Sequence, residues 1–259
     1  MQLLAIAGIA AVGGAMNAIA GGGTLLTFPA LIALGIPPLI ANATSTVGLL
    51  PASMSSMWGY RDELKGARQW VLGFAFPSLA GGLVGAILLI RTPPLTFSRL
   101  VPWLVLAATA LFIAQGPLTA SLRRRSEPVE RPGAGAAKSE RLPSAALLAF
   151  QTLISIYGGY FGAGVGILML AGLGFMGHTN IHRMNGLKNW GGLCMNAVAA
   201  AAFAASGLVI WPVALTMAAG SFGGGYVGSR VAQRIGQRIV RVAIATIGIS
   251  SGILLMVTR

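Results

Sequence analysis

The sequence predicts an all-α integral membrane protein made of two inverted-topology repeats of about five helical segments each, with discontinuous or re-entrant helices at glycine clusters. Three observations predict it: the composition, a repetition of the whole apolar pattern, and the placement of basic residues. Hydrophobic residues form 55% of the 259 and charged ones 9%, and the mean hydropathy of +0.78 lies outside the range of soluble domains this long. Uninterrupted apolar runs approach the ~20 residues a helix needs to cross hydrocarbon. Strands would instead need alternating segments of roughly ten residues, so the spans are helical and the lipid bilayer is the surrounding medium.

Sliding residue i onto i+143 pairs Ala20, Gly21, Gly23 and Leu25 with Ala163, Gly164, Gly166 and Leu168. The same register pairs Asn42, Gly48 and Leu50 with Asn185, Gly191 and Leu193, then Ser78, Gly81, Gly82 and Gly85 with Ser221, Gly224, Gly225 and Gly228. Tandem half-chains of apolar segments are a common plan of secondary transporters, which bind substrate where the halves meet.

The first segment, 2–20, has a counterpart in the second half and no Lys or Arg before it, so it belongs to the repeat unit despite the signal-peptide-like Ala18-Ile19-Ala20. Segment 24–35 is short and follows Gly21-Gly22-Gly23, the mark of a re-entrant or broken helix. Segments 39–59, 70–90 and 98–116 complete the first repeat, residues 1–118. Residues 119–142 hold six of the 18 basic and three of the five acidic residues, with Pro and Gly throughout, and read as a flexible linker. The second repeat, 143–259, supplies segments 144–161, 165–178, 186–206, 208–228 and 239–257, the second again short and set behind a glycine cluster.

Fifteen of the 18 basic residues fall on one side of this arrangement, among them Arg61, Lys65, Arg68, Arg183, Arg230 and all those of the linker. The positive-inside rule therefore places the linker in the cytoplasm and both termini on the outer side of a multi-pass membrane protein, whether the short segments cross or turn back. Equivalent loops carry opposite charge bias, with Arg61, Lys65 and Arg68 facing an uncharged 206–208, which is the expectation for inverted halves.

Two pairs of stretches carry candidate chemistry. Gly21, Gly22, Gly23 and Thr24, with Gly164 and Gly166 opposite, relax the helix and direct the positive end of the next one into a cavity, a place suited to an anion. Thr44 and Ser45 open segment 3, and Asn185, Lys188 and Asn189 open segment 8; hydroxyls, amides and an ammonium all donate to an oxyanion. Asn17 precedes the first cluster on its own segment, as Tyr157 and Tyr160 precede the second. Close helix packing through small residues, hydroxyl capping and lysine snorkelling are the structural alternatives at these positions.

No carboxylate lies in any expected span, since Asp62 and Glu63 sit in a loop and Glu127, Glu130 and Glu140 in the linker. The frame is electropositive and fits an anionic substrate. His178 and His182 stand four apart without a third ligand, so neither a metal nor a cofactor is expected, and no nucleophile with a base points to an enzyme. The basic linker lacks interleaved aromatics, so no nucleic-acid partner is expected; an oligomer is compatible. Cys194 is alone and forms no intramolecular disulfide.

Together Gly21-Gly22-Gly23-Thr24-Leu25-Leu26 with Pro29, Gly35-Ile36-Pro37-Pro38, Ala43-Thr44-Ser45, the run Tyr157 to Gly166, Asn185 and Lys188 resemble the TauE/SafE sulfite exporter family of membrane permeases. The resemblance covers nearly the whole chain except the linker. It implies transport of small sulfur-containing anions such as sulfite, thiosulfate or organosulfonates across the bacterial cytoplasmic (inner) membrane, which makes the outer side that holds both termini the periplasm, with export the expected direction. An uptake permease, an anion pore, and less readily an accessory subunit or enzyme stay open at this stage.

Overall fold

The computed structural model describes residues 2–125, 143–175, 181–231 and 246, with nine α-helices and no strand among them. They are α1 (Gln2–Ala20), α2 (Thr24–Ala33), α3 (Pro38–Gly59), α4 (Arg68–Arg91), α5 (Pro94–Arg125), α6 (Ala145–Tyr160), α7 (Val165–Phe175), α8 (Ile181–Ala205) and α9 (Trp211–Val231). All but one residue of segment 239–257 and the linker from 126 to 142 lie outside the described residues, as do His178 and the ring of His182.

Several starts follow from local chemistry. Pro38 and Pro94 stand at first helical positions, where the missing N–H removes a donor that has no intrahelical partner. Ser144 caps α6, its Oγ accepting from the Leu147 amide at 3.3 Å. Two ends differ from the sequence reading. Helix α5 runs on to Arg125, so residues 119–125, assigned above to the linker, are helical: Leu and Arg are good helix formers and cations suit a helix C-terminus. Helix α8 begins at Ile181, and Gly186, where the segment was expected to open, lies inside it against Leu64.

Two helical hairpins organise the molecule. Helix α2 folds back along α1, with Thr27 and Gly23 against Gly13 and, farther along, Leu31 and Leu34 beside Ile6 and Ile9. Helix α7 folds back along α6 in the same manner, with Val165 at Gly158 and Gly172 against Phe150. Each hairpin docks on the other half of the chain. Gly220, Gly224 and Gly228 of α9 meet Ala7, Ala11 and Ala15 of α1 in parallel order, while Gly81 and Gly85 of α4 meet Ser155 and Ile156 of α6. A side chain at Gly224 would overlap the Ala11 carbonyl, so backbones approach to a distance only glycine permits.

Helices α3 and α8 form the centre, touching each other and flanked by α9 and α4 respectively. They run antiparallel: the start of α8 lies against Leu64, beyond the end of α3, while the Ile210 amide after α8 donates to Thr44 Oγ1 near the start of α3 at 3.1 Å. The Trp190 indole N–H of α8 donates to the Val71 carbonyl of α4 at 2.7 Å, and Ser221 of α9 donates to the Gly48 carbonyl of α3 at 2.6 Å.

Polarity is arranged inside out relative to a soluble protein. Phe76, Trp103, Leu153 and Leu215 are each more than 60% exposed, while Thr27, Thr44, Ser45, Gln151 and Lys188 are buried. Helices α4 (Arg68–Arg91) and the Pro94–Leu111 part of α5 are long and apolar enough to cross a membrane by themselves. With 22 and 25 residues, α3 and α8 match that length, but their polar residues face the molecular centre, which lowers their hydropathy. Arg61, stacked on Trp58, and Arg230, stacked on Tyr226, lie at the adjoining ends of α3 and α9, marking a basic, aromatic rim at that end.

Candidate functional site

The candidate site lies where the two hairpin turns meet. Gly21 has φ +75° and Gly164 φ +74°, left-handed conformations that glycine adopts without strain, and each lets its chain reverse from one helix into the next. A Cβ at Gly21 would stand 2.8 Å from the Gly166 Cα, so the two turns touch backbone to backbone. The Tyr157 hydroxyl donates to the Ala163 carbonyl at 2.8 Å and ties down the second turn. Helix α7 starts immediately after it, which brings a positive helix end to the junction.

Beside this contact lies a small cavity, part of it open to the outside, bounded by both turns and by α3 and α8. From α8 come Lys188, Asn189, Gly192 and Asn196, from α3 Ser53, and from the hairpins Asn17, Gly21, Val165, Gly166 and Met169. Lys188 is 2% exposed, and its Nζ has no hydrogen-bond partner among the described residues; nor has Asn189 Nδ2. Asn17 Nδ2 donates to Ser53 Oγ at 3.3 Å. Among the described residues no carboxylate lines the cavity. An enclosed cation without a counter-charge is costly, and an anion entering this cavity would complete it with charge-assisted hydrogen bonds.

The residues expected from sequence divide into two sets. Asn17, Gly21, Gly166, Lys188 and Asn189 come together on the cavity. The others lie nearby without lining it. Gly22 and Gly23 turn the first hairpin, the Gly23 carbonyl accepting from the Thr27 hydroxyl, and Thr24 opens α2. Gly164 rests on Ala108 of α5. Thr44 accepts the Ile210 amide, Ser45 Oγ lies 2.7 Å from Thr27 Oγ1, and Asn185 lies one turn before Lys188. Tyr160 is engaged away from the cavity, with its hydroxyl 3.4 Å from Thr92 Oγ1.

Ser53, Val165, Met169, Gly192 and Asn196 were not anticipated. A signal for three of them existed. Lys188, Gly192 and Asn196 recur every four residues and so share a helix face, and Ser53 is the repeat mate of Asn196 in the register that pairs Ser45 with Lys188. Among the described residues no three His, Cys, Asp or Glu gather as metal ligands would.

Comparison with known proteins gives a consistent answer. The family model described as sulfite exporter TauE/SafE matches residues 6–255. The chain is similar to the probable membrane transporter protein ORF9 of Sinorhizobium sp, with 29% identity over 98% of this chain and 93% of that one. It is also similar to the probable membrane transporter protein YfcA of Escherichia coli, with 27% identity over 83% of this chain and 74% of that one. A probable membrane transporter protein of Haemophilus influenzae is 27% identical over 80% of this chain and 75% of its own length. No solved structure matches the chain significantly.

Proposed function

The chain belongs to the sulfite exporter TauE/SafE family of membrane transporters, and from that premise we propose that it moves small sulfur-containing oxyanions out of the bacterial cytoplasm by alternating access. Sulfite, thiosulfate and organosulfonates are the candidate substrates. The observation that carries this reading is the buried Lys188 ammonium, on a cavity between the two halves, with neither a hydrogen-bond partner nor a lining carboxylate among the described residues. The start of α7, Asn17, Asn189 and Asn196 add neutral donors, so the full charge is concentrated at one point and the remaining contacts fit several oxygens.

The inverted-repeat reading rests on helix direction. Helix α3 and its mate α8 are antiparallel; α9 follows α1 in parallel, and α4 follows α6. Each hairpin thus docks on a helix of the opposite repeat, an arrangement in which one packing can be exchanged for its mirror in the other half. The end that carries Arg61, Lys65 and Arg68 is the cytoplasmic one by the positive-inside rule, with both termini periplasmic and the hairpins re-entrant.

Thermal unfolding of the purified protein at constant ionic strength, with sulfite, thiosulfate, sulfoacetate or taurine against chloride, tests substrate class. A ligand at 100 times its Kd stabilises by about 2.7 kcal/mol, so at least one sulfur anion is expected to raise the midpoint by several degrees. Equal midpoints in all of them would contradict the proposal.

A further inference from the structure

Ser53 and Asn196 are mates in the repeat register, yet both line the same cavity. Two turns before them in their helices stand Ser45 and Lys188, also mates, and only Lys188 reaches the cavity. The counterpart region on the Ser45 side is occupied by protein hydrogen bonds. Ser45 Oγ meets Thr27 Oγ1 at 2.7 Å, Thr44 accepts the Ile210 amide at 3.1 Å, and Asn42 Nδ2 donates to the Tyr160 carbonyl at 3.0 Å. Ser45 and Thr44 are fully buried there. The junction is therefore open beside Lys188 and closed beside Ser45, with Ser53 and Asn196 between.

Resting on the carrier reading above, we propose that Ser53 and Asn196 contact the transported anion in both access states, while Lys188 completes the site in one state and Ser45 in the other. Exchange of the two halves' packing closes the Lys188 side and frees Ser45 from Thr27, and the residues nearest the pseudo-symmetry axis stay in place. The site then carries a cation only when open toward the basic end of the molecule. Binding is tighter from that face, and an anion bound there favours that state over the other. Exchanging a charge-assisted hydrogen bond for a hydroxyl one lowers affinity on the Ser45 side by ten-fold or more.

The test is sulfite flux in proteoliposomes of defined orientation, at equal pH and zero potential, with half-saturation measured separately from each face. The wild-type protein is expected to half-saturate at ten-fold or more lower sulfite from the Lys188 face, and Lys188→Ser, which makes the mates identical, to erase the difference. Ser53→Ala and Asn196→Ala are expected to raise half-saturation from both faces by similar factors; if Asn196→Ala does not fold, Asn196→Ser serves in its place. A transporting protein in which Ser53→Ala or the Asn196 variant acts on one face only, or in which Lys188→Ser preserves the difference, overturns this inference alone. Absence of flux in the wild-type protein overturns the transport reading and this inference with it.

Discussion

Lys188→Met is expected to weaken sulfur-anion binding by about 10- to 100-fold while leaving the fold as stable as before, or more so. Both halves of that result follow from the same geometry. The ammonium is 2% exposed and without a hydrogen-bond partner among the described residues, so in the unliganded protein it contributes desolvation cost and no compensating contact. Methionine keeps most of the volume and removes the charge; replacing even a buried ion pair by well-packed apolar groups is often neutral or stabilising by about 1–4 kcal/mol, and here no partner charge is left behind among the described residues. The anion, however, loses a charge-assisted hydrogen bond of roughly 1.5–3 kcal/mol. Binding isotherms and thermal midpoints on the same preparation separate the two effects. A large fall in midpoint with unaltered binding would make Lys188 a structural residue.

Gly224→Ala is expected to cost about 1–3 kcal/mol or more, and Gly223→Ala, one position away, to be within about 0.5 kcal/mol of wild type or slightly stabilising. A Cβ at Gly224 would overlap the Ala11 carbonyl, a backbone atom that cannot rotate aside, whereas a Cβ at Gly223 meets nothing within 4 Å. At the latter position the better helix propensity of alanine is the remaining term. The mate of Gly224 is Gly81, where a Cβ would lie 2.6 Å from the Thr152 carbonyl, so Gly81→Ala is expected to behave like Gly224→Ala. Monodisperse yield and thermal midpoint measure this directly; equal behaviour of the Gly223 and Gly224 variants would contradict the glycine-mediated docking of hairpins on the opposite repeat.

Much of the fold was legible because apolar length and glycine placement report directly on membrane helices. Helix α1 coincides with segment 2–20, and the short α2 and α7 begin at Thr24 and Val165, directly behind their glycine clusters. The end of α5 was misjudged because charge and proline in the linker masked the helix-forming residues that precede them. Of the residues that line the candidate cavity, Lys188, Asn189, Asn17, Gly21 and Gly166 were legible from charge, amide and backbone chemistry. Thr44 and Ser45 offer the same donors, yet the structure engages them with Ile210 and Thr27, and residue type does not distinguish a hydroxyl facing a cavity from one paired with a distant helix. Ser53 escaped notice for the opposite reason: a serine in mid-helix reads as packing until its register mate, Asn196, is found across the same cavity.

The most direct measurement is counterflow of labelled sulfite in proteoliposomes, comparing wild-type protein with Lys188→Met. Saturable uptake of label driven by unlabelled sulfite trapped inside, and its loss by about 100-fold in kcat/KM for Lys188→Met, is the expected result. Wild-type vesicles that show no sulfite counterflow, or Lys188→Met vesicles that match them, would contradict a carrier whose anion site is centred on Lys188.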